Sequence, residues 1–329
     1  MRELSKVVVT GGAGFIGSRL VGALLKRGVD VVVLDNFTSG SSENLAQYEA
    51  DKRLKVVRGD IRSMREDLKG VGDFDAVFHL AAVASVAKSV SDPIGVHDVN
   101  VNGSLEVLSY CLEKGVKRVI FASSAATYGP IKAKVASEDL ACSPASPYGA
   151  SKLAVENYLS SYCQTYGLET VALRFFNVYG AGQRLNDYSG VITLFASSLL
   201  RHQAPTIYGD GEQTRDFVNV EDVIRANILA GTTKGAAGEV INVASGKTVS
   251  LLQLLEVLKG LTGASDVRPV FRPPRPGDMR FGAASISKAV RILGYVPKVP
   301  IQEGLEDVVG FLKRTMGQPR SEAPPFGAD

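Results

Sequence analysis

The fold of this chain is indicated first by residues 7–17, which read Val-Val-Val-Thr-Gly-Gly-Ala-Gly-Phe-Ile-Gly. The β-branched apolar run predicts a buried strand, and the glycines behind it predict a tight turn that opens a helix. Gly11 permits the turn, Gly14 lets the backbone approach a pyrophosphate, and Gly17 lets helix and sheet pack closely. Phosphates favour the free N–H groups at a helix N-terminus. The pattern predicts a dinucleotide site; the alternative is a plain glycine-rich turn.

Apolar runs of the same kind recur along the first half of the chain. They lie at 31–34, 54–57, 76–80, 118–121 and 170–173. Segments long enough for crossover helices separate them, such as 17–27 and 101–113. This alternation predicts an α/β fold with a doubly wound parallel Rossmann sheet, which binds ligands at the carboxyl ends of its strands.

The pattern changes after about Asn177, and a smaller C-terminal substrate-binding domain is expected there. Glycine, proline and polar clusters predict loops at 179–190, 203–214 and 268–282. A strand end with a helix at 217–232, and a strand at 239–243, indicate that the chain returns to the first domain. The expected limits are 1–177 plus about 215–245 for the Rossmann domain, 178–214 and 246–316 for the smaller domain, and 317–329 for a disordered tail.

The composition is that of an ordinary globular protein, with 329 residues, 45% hydrophobic, 37 basic and 34 acidic. No basic run indicates nucleic-acid or membrane-surface binding, and no apolar stretch has the length of a membrane span. The first residues are not typical of a signal peptide. Cys111, Cys142 and Cys163 have no disulfide or metal spacing, and the histidines are scattered. We therefore expect no metal site and a reduced, cytoplasmic protein.

Two aspartates follow predicted strands at positions where a dinucleotide would meet them. Asp35 closes the second strand, where a carboxylate accepts hydrogen bonds from the adenosine ribose and repels a 2′-phosphate. No arginine follows it directly, which favours NAD over NADP; the alternative is a solvated strand-end carboxylate. Asp60 ends the third strand and could reach the adenine amino group, or could be an ordinary turn residue.

Tyr148 and Lys152 lie four residues apart at a predicted helix start after Pro147. Residues at this spacing share one helix face. A phenol has a pKa near ~10, and a nearby ammonium or a cationic nicotinamide lowers it by stabilising the phenolate. Tyr148 could then remove a proton from a substrate hydroxyl while hydride leaves the same carbon. The alternative, a chance surface pair, is disfavoured by the dinucleotide pattern upstream.

A serine pair follows the strand at 118–121 and is expected at the carboxyl edge of the sheet, beside the nicotinamide. A hydroxyl there can hydrogen-bond the reacting oxygen and relay its proton. Ser124 is the first choice for this role and Ser123 the second, and the alternative for both is capping of the strand end.

Together these residues resemble the extended short-chain dehydrogenase/reductase family, and within it the NDP-sugar 4-epimerases. The resemblance covers about residues 6–312. The segments that match the family's motifs are 11–17, 35–36, 79–82, 100–103 and 174–180, with Ser124, Tyr148 and Lys152 as its catalytic triad. It implies an NAD-dependent inversion at C4 of a UDP-sugar, converting UDP-glucose and UDP-galactose and also their N-acetylated counterparts.

The resemblance also implies which residues bind each ligand. Those expected at NAD are Gly11, Gly14, Phe15, Ile16, Gly17, Asp35, Asn36, Ser39, Gly40, Asp60, Ile61, Leu80, Ala81, Ala82, Asn100, Ser123, Tyr148, Lys152 and Phe176. Those expected at the UDP-sugar are Ser85, Ser124, Tyr148, Asn177, Val191, Thr206, Tyr208, Arg215, Arg275, Asp278 and Gly282. Among them, Arg275 and Asp278 resemble a clamp on phosphate and ribose, and arginine suits phosphate because its planar fork donates two bonds.

Details of the resemblance narrow the reaction and the sugar. Related dehydratases and decarboxylases carry a carboxyl group just after the catalytic serine, where this chain has Ala125 and Ala126. Galactose-only relatives carry a tyrosine where this chain has Gly282, so room for a 2-acetamido group is expected, although a glycine can also serve a turn. The alternatives are another NDP-sugar enzyme, such as a uronate epimerase, or a non-catalytic NAD-binding module. The family also implies a homodimer formed by helices at 101–113 and 148–166.

Overall fold

The computed structural model describes residues 2–130, 135–183, 185, 189–274, 280 and 282–316. Fourteen strands are assigned in this part of the chain: β1 Lys6–Thr10, β2 Asp30–Asp35, β3 Leu54–Arg58, β4 Ala76–His79, β5 Arg118–Ser124, β6 Val135–Ala136, β7 Glu169–Phe175, β8 Asn177–Tyr179, β9 Thr206–Tyr208, β10 Thr214–Asn219, β11 Glu239–Val243, β12 Thr248–Ser250, β13 Val270–Arg272 and β14 Ala283–Ala284. The tail at 317–329, expected to be disordered, lies outside the described residues.

Eleven α-helices are assigned in the same residues: α1 Phe15–Leu25, α2 Met64–Asp67, α3 Val86–Ser91, α4 Pro93–His97, α5 Gly103–Glu113, α6 Pro147–Tyr166, α7 Val191–Leu200, α8 Val220–Thr232, α9 Leu251–Thr262, α10 Ser287–Leu293 and α11 Ile301–Thr315. A π-helical segment, Asp98–Asn102, joins α4 to α5. None of the helices described has the combination of length and apolar character that crossing a bilayer requires.

Seven parallel strands form the central sheet, in the order β11-β7-β5-β4-β1-β2-β3. The doubly wound α/β fold predicted from the sequence is therefore confirmed. Strand β1 pairs with β2 on one side and β4 on the other, so the chain reverses its direction of travel across the sheet between β1 and β4. A crevice opens at such a reversal, beyond the carboxyl ends of the strands.

Side chains along the strands alternate between the two faces of the central sheet, and each face has its own apolar core. Val7 and Val9 pack on one face against α1 and α8, whereas Val8 packs on the other against α5 and α6. Both faces are covered because successive side chains of a strand point to opposite sides. Each fully buried valine of β1 stabilises the fold by about 1.5–3 kcal/mol relative to an exposed one.

The later part of the chain adds smaller sheets and a third core. Strands β12, β10 and β8 form one sheet, β13 pairs with β9, and β14 pairs with β6. Helices α7, α9 and α11 enclose the third apolar cluster. Helix α8 packs on the central sheet and β11 joins it beside β7, whereas β10 belongs to a small sheet. The domain limits expected above stay a prediction.

Two element boundaries differ from the predicted ones in ways that bear on the site. Strand β5 extends to Ser124, so the serine pair ends the strand rather than following it. Helix α5 starts only at Gly103, because the residues before it form the wider π turn. Such turns occur often at functional positions, since they displace a side chain from the regular helical repeat.

Candidate active site

A cavity of about 1150 Å³ lies at the carboxyl edge of the central sheet. Twenty of the residues predicted at ligands line it: Gly11, Gly14, Phe15, Ile16, Gly17, Asp35, Asn36, Ser39, Asp60, Ile61, Leu80, Ala81, Ala82, Ser123, Ser124, Tyr148, Lys152, Phe176, Asn177 and Val191. These residues come from positions spread over most of the chain. The fold therefore brings the dinucleotide pattern and the Tyr-Lys pair to one cavity.

The glycine loop has the geometry that a bound pyrophosphate requires. Gly11 has a φ of +69°, and a side chain there would meet the backbone of Ala81. A side chain on Gly17 would collide with the carbonyl of Gly11. Gly14 differs, because within 4 Å its Cβ would meet only the Gly11 carbonyl, at 3.2 Å, and the rest of its surroundings is cavity. A side chain on Gly14 would fill the space beside the first turn of α1, whose N–H groups have no partner within the helix.

Asp35 ends β2 at the cavity wall and is held by the chain behind it. Its two carboxylate oxygens accept N–H groups of Ala13 at 2.9 Å and Phe37 at 2.8 Å. Burial raises the pKa of the Asp35 carboxyl above its ordinary value, and these two hydrogen bonds oppose the rise. Each oxygen has a second lone pair, which a ribose hydroxyl can use. Gly40 packs behind this region against Ala13 and does not itself line the cavity.

Asp60 faces the same end of the cavity within a charged cluster. Asn36 donates to its carboxylate at 3.0 Å, and Arg62 donates at 2.9 Å and 3.0 Å. The Arg62 bonds, and to a lesser extent the one from Asn36, lower the pKa of Asp60 to about 2. Arg62 also pairs with Asp98 at 2.8 Å and was missed at the level of sequence, because nothing in its spacing separates it from a surface arginine.

Tyr148 and Ser124 meet at the cavity wall. Ser146 caps α6 by accepting the N–H of Gly149 at 3.1 Å, and Pro147 occupies the first turn, so the helix starts just before Tyr148. Burial raises the pKa of the Tyr148 phenol, and a hydrogen bond with the Ser124 side chain opposes the rise. The lowering predicted from a nearby ammonium therefore does not dominate here. Ser124, the first choice of the pair, is the serine that contacts Tyr148.

Lys152 lies one turn further along α6 and is buried. Its ammonium donates to the carbonyl of Ala122 at 2.8 Å and lies 4.6 Å from the ring centroid of Phe121. It lies over the ring of Tyr148, 5.9 Å from the ring centroid. Burial lowers the pKa of Lys152 to about 7, and the charge of Glu156 opposes this.

Ser123 points to the opposite side of β5 from Ser124 and joins a buried ion pair. Its hydroxyl donates to Glu156 at 2.5 Å. Arg174 donates to the two oxygens of the same carboxylate at 2.9 Å and 2.7 Å, and both side chains of the pair are at least 94% buried. Glu156 was missed from the sequence, although the repeat of Tyr148, Lys152 and Glu156 at four-residue intervals was available as a signal.

The side-chain polar groups of Asn100 and Ser85 are engaged in hydrogen bonds within the protein, and neither residue lines the cavity. The Asn100 amide accepts the N–H of Val83 at 2.8 Å and donates to its carbonyl at 3.1 Å and to Ser151 at 3.0 Å. Asn100 sits in the π segment and so ties the loop after β4 to α6. Ser85 caps α3 by accepting the N–H of Lys88 at 3.1 Å. The structure gives both residues a positioning role beside the cavity.

The residues expected at the UDP-sugar are only partly gathered. Asn177 faces the cavity and donates to the carbonyl of Asp216 at 2.9 Å, and Val191 begins α7 at the cavity wall. Thr206, Tyr208 and Arg215 lie on β9 and β10, beyond the described lining. Arg275 and Asp278, the expected clamp, lie outside the described residues.

Gly282 is explained by packing rather than by space for a substrate. A Cβ built on it would lie 2.9 Å from the carbonyl oxygen of Thr214 and 3.4 Å from the Cα of Arg215. Its own carbonyl accepts the N–H of Asp216 at 3.2 Å. A side chain at this position would push the segment off β10, so the glycine gives no support to the predicted room for an acetamido group.

Few other charged residues line the cavity in the part of the chain that the structure describes. Besides Asp35 and Asp60, the described lining contains one further carboxylate, Asp92, which caps α4 by accepting the N–H of Gly95 at 2.9 Å. Lys88 and Arg62 are lining cations that sequence reasoning did not single out. No group of three or more His, Cys, Asp or Glu side chains suited to a metal ion occurs among the residues described.

Comparison with known proteins agrees with this geometry. Residues 7–244 match the model of the NAD dependent epimerase/dehydratase family. A UDP-glucose 4-epimerase of Mycolicibacterium smegmatis is 39% identical over 94% of this chain and 98% of its own length.

Solved structures extend the likeness to the whole fold. A UDP-glucose 4-epimerase of Thermotoga maritima with UDP-glucose superposes with a TM-score of 0.89 and 39% identity, over 94% of this chain and 99% of the other. A UDP-N-acetylglucosamine 4-epimerase of Methanobrevibacter ruminantium M1, in complex with UDP-N-acetylmuramic acid, has a TM-score of 0.89 and 38% identity, over 96% and 100%. The chain belongs to the NAD-dependent epimerase/dehydratase family.

Proposed function

We propose that this protein is an NAD-dependent UDP-hexose 4-epimerase that interconverts UDP-glucose and UDP-galactose through a 4-keto intermediate. One observation carries the proposal. The hydrogen-bonded hydroxyls of Tyr148 and Ser124 share a cavity with the open face of Gly14 and the first turn of α1. A hydride-transfer cofactor bound by its phosphates at α1 would thus lie in the same space as an acid–base pair. The proposal also agrees with the UDP-glucose 4-epimerases similar to the chain over nearly its whole length.

The residues at the sheet edge fit NAD. The space beside Gly14 is the kind that a side chain would fill, and Asp35 supplies acceptor oxygens for ribose hydroxyls. NAD held at α1 and Asp35 would supply a hydride acceptor and donor for C4 of the sugar, and the positive charge of its ring would lower the pKa of a neighbouring phenol. The cavity otherwise raises the pKa of Tyr148, so base strength at this residue depends on the ligand state of the cavity.

Three side chains near the carboxyl end of β5 have different roles in the proton transfer. Tyr148 takes the proton from the sugar O4 hydroxyl and returns it after the sugar has turned over. Ser124 accepts the N–H of Ala126 at 3.1 Å, which fixes its hydroxyl beside that of Tyr148 and lets it orient O4. Lys152, held by the Ala122 carbonyl, places a positive charge under the Tyr148 ring.

The neighbourhood of Tyr148 favours epimerisation over elimination or decarboxylation. Ala125 and Ala126 form the short turn directly after β5, so no carboxyl group stands there as an acid or base for C5 or C6. The three carboxylates of the described lining are engaged elsewhere: Asp35 with backbone N–H groups, Asp60 with Arg62, and Asp92 at a helix cap. Tyrosine and NAD suffice for an inversion at C4 and do not suffice for loss of water.

The UDP-sugar would extend past Asn177 and Val191, on the side of the cavity away from the glycine loop. Acceptance of UDP-N-acetylglucosamine and UDP-N-acetylgalactosamine is kept in the proposal on the strength of the N-acetylglucosamine epimerase with a similar fold. Gly282 does not contribute to that argument. A cytoplasmic location and a homodimer formed through α5 and α6 complete the proposal; the first rests on the cysteine pattern and the second on the resemblance to the family.

The test is a side-by-side turnover assay on the purified protein. UDP-galactose and UDP-N-acetylgalactosamine are supplied separately, without added NADH, and the products are separated by chromatography. Conversion of both supports the full proposal, and conversion of UDP-galactose alone limits it to the unsubstituted hexose. Conversion of neither by protein shown to contain NAD overturns it, and a product lighter by water would assign a dehydration instead.

A further inference from the structure

Glu156 is a buried carboxylate one helical turn beyond Lys152, and the reaction described above does not use it. Its carboxylate accepts the Ser123 hydroxyl at 2.5 Å and two nitrogens of the Arg174 guanidinium at 2.9 Å and 2.7 Å. Ser123 and Ser124 are adjacent on β5, so Glu156 anchors the strand end that carries the Tyr148 partner. The same carboxylate thus links α6 to β5 and β7, next to Ser123, which lines the cavity.

The titratable and charged groups around Lys152 lie on three elements. On α6 they are Tyr148 and Glu156, one turn before and one turn after it. On β4 it is His79, which is neutral because burial and the charge of Lys152 lower its pKa to about 3. On β7 it is Arg174, which is paired with the Glu156 carboxylate. Strand β5 contributes the Ala122 carbonyl, a dipole rather than a charge. Glu156 is therefore the negative charge in this group.

We propose that Glu156 is a positioning residue for the epimerase reaction: its charge keeps buried Lys152 in the ammonium form, and its bond from Ser123 fixes the end of β5. The inference rests on the proposed function for its catalytic consequence. An ammonium buried without a nearby counter-charge loses its proton readily, because desolvation disfavours the charged form. Arg174 tempers the effect, since it shares the carboxylate. The ion pair thus sets how much negative charge Lys152 experiences.

A purely structural role for the pair is the competing explanation, and two substitutions separate it from the proposal. Glu156→Gln keeps the shape of the side chain and one acceptor oxygen, but it removes the charge that stabilises the ammonium and places an amide N–H group against a donor of Arg174 or Ser123. Arg174→Gln removes the positive partner and leaves Glu156 to act on Lys152 alone. A positioning role predicts that these changes move the protonation of Lys152 in opposite directions. A structural role predicts loss of stability in both and movement in neither.

The first measurement is the pH dependence of Lys152 labelling by acetic anhydride, which reacts with the neutral amine. Brief labelling of the holoenzyme followed by mass spectrometry of the peptide containing Lys152 gives the midpoint without requiring turnover. We expect Glu156→Gln to lower the midpoint by about one pH unit and Arg174→Gln to raise it. Glu169→Gln, the same change in the ion pair at the opposite end of β7, is the matched control and should not move it.

The second measurement is the pH profile of kcat with UDP-galactose. The alkaline limb should move to lower pH in Glu156→Gln, which gives about a tenfold loss at pH above the midpoint, and to higher pH in Arg174→Gln. The inference is overturned if the midpoints of the folded variants do not move, or if both variants move them in the same direction. If one variant does not fold, the direction of the shift in the other decides. A parent protein that turns over no UDP-sugar defeats the proposed function, while labelling still decides the charge coupling.

Discussion

An arginine–glutamate pair lies at each end of strands β5 and β7, and the two pairs have different roles. At the amino end, Arg118 contacts Glu169 and donates to the carbonyls of Ala230 at 2.9 Å and Thr233 at 2.6 Å. At the carboxyl end, Arg174 contacts Glu156, which in turn receives Ser123. The chemistry of the pairs is the same, and only the second one borders the cavity.

The contrast shows how a parallel sheet separates stability from function. The amino-end pair fastens the last turn of α8 to the sheet and has no route to a ligand, whereas the carboxyl-end pair lies under the residues that face one. Ligands bind at the carboxyl edge of such sheets because loops and helix N-termini converge there. Substitutions at the two edges should therefore separate catalysis and binding from folding, and the predictions below are arranged by the size of the effect.

The largest expected effect is on catalysis at the carboxyl edge. Tyr148→Phe should lower kcat for UDP-galactose by about a hundredfold to ten-thousandfold, because it removes the group that transfers the O4 proton. The melting temperature should stay close to that of the parent protein, since the ring and its contact with Lys152 remain. Tyr162→Phe, further along the same helix, is the control and should retain full activity. A Tyr148→Phe enzyme with most of its turnover would refute the assigned role.

The next effect is on stability at the amino edge. Arg118→Met should lower the free energy of unfolding by about 3 kcal/mol, because it leaves the carbonyls of Ala230 and Thr233 without this donor and leaves Glu169 paired with Arg2 alone. The kcat of the folded enzyme should be unchanged, which urea unfolding together with assays at low temperature would check. A loss of kcat with stability intact would mean that the two edges are not separable.

A smaller effect concerns the cofactor and uses the two ends of one strand. Asp35→Ser should weaken NAD binding by about tenfold to a hundredfold, because hydrogen bonds to a charged acceptor are lost. NADP should bind better than it does to the parent protein, since the repulsion of a 2′-phosphate is gone. Asp30→Ser, at the exposed start of β2, is the control. Calorimetric titration of protein freed of NAD measures both, and equal affinities in the two variants would contradict the role of Asp35.

The smallest effect is a pH dependence of stability centred on His79. The two ring nitrogens of His79 lie 2.7 Å from the Thr10 hydroxyl and 2.9 Å from the Ser104 hydroxyl. Burial lowers the pKa of His79 from 6.5 to about 3. The unfolded chain therefore takes up a proton below pH 6.5 that the folded protein does not, so stability is present above that pH and is lost as the pH falls towards 3.

Replacement of the histidine should remove this dependence. Between pH 7.5 and 5 the parent protein should lose about 2 kcal/mol of unfolding free energy through His79. His79→Asn should start from a lower stability and lose correspondingly less over the same range, as urea unfolding at the two pH values would show. His97→Asn, an exposed histidine, should behave like the parent. Identical slopes for His79→Asn and the parent would exclude His79 as the source.

The sequence was sufficient for those parts of the site that depend on local geometry. The glycine pattern at 11–17 and the Tyr148–Lys152 spacing each follow from one turn or one helix, so they could be predicted before any tertiary contact was known. Gly282 shows the opposite case, because only the approach of β10 explains why a side chain is excluded there. Arg62 was missed for the same reason, since no spacing marks it, and Glu156 was missed although it continues the four-residue repeat of Tyr148 and Lys152, because its partners lie on other elements.

The position of β11 has a consequence for how the chain is made. This strand completes the central sheet beside β7, yet residues 176–238 are synthesised between the two. At about 5–20 residues per second, the edge of β7 stays open for several seconds on the ribosome, with hydrogen-bonding groups that another chain could pair with. In the finished protein β11 is itself the edge, and the Glu138 carboxylate accepts the N–H of Asn242 at 2.8 Å on that strand. Aggregation during synthesis, rather than instability of the finished fold, is therefore the hazard that this topology creates, and a chaperone that shields β7 would raise the yield more than a mutation that stabilises the core.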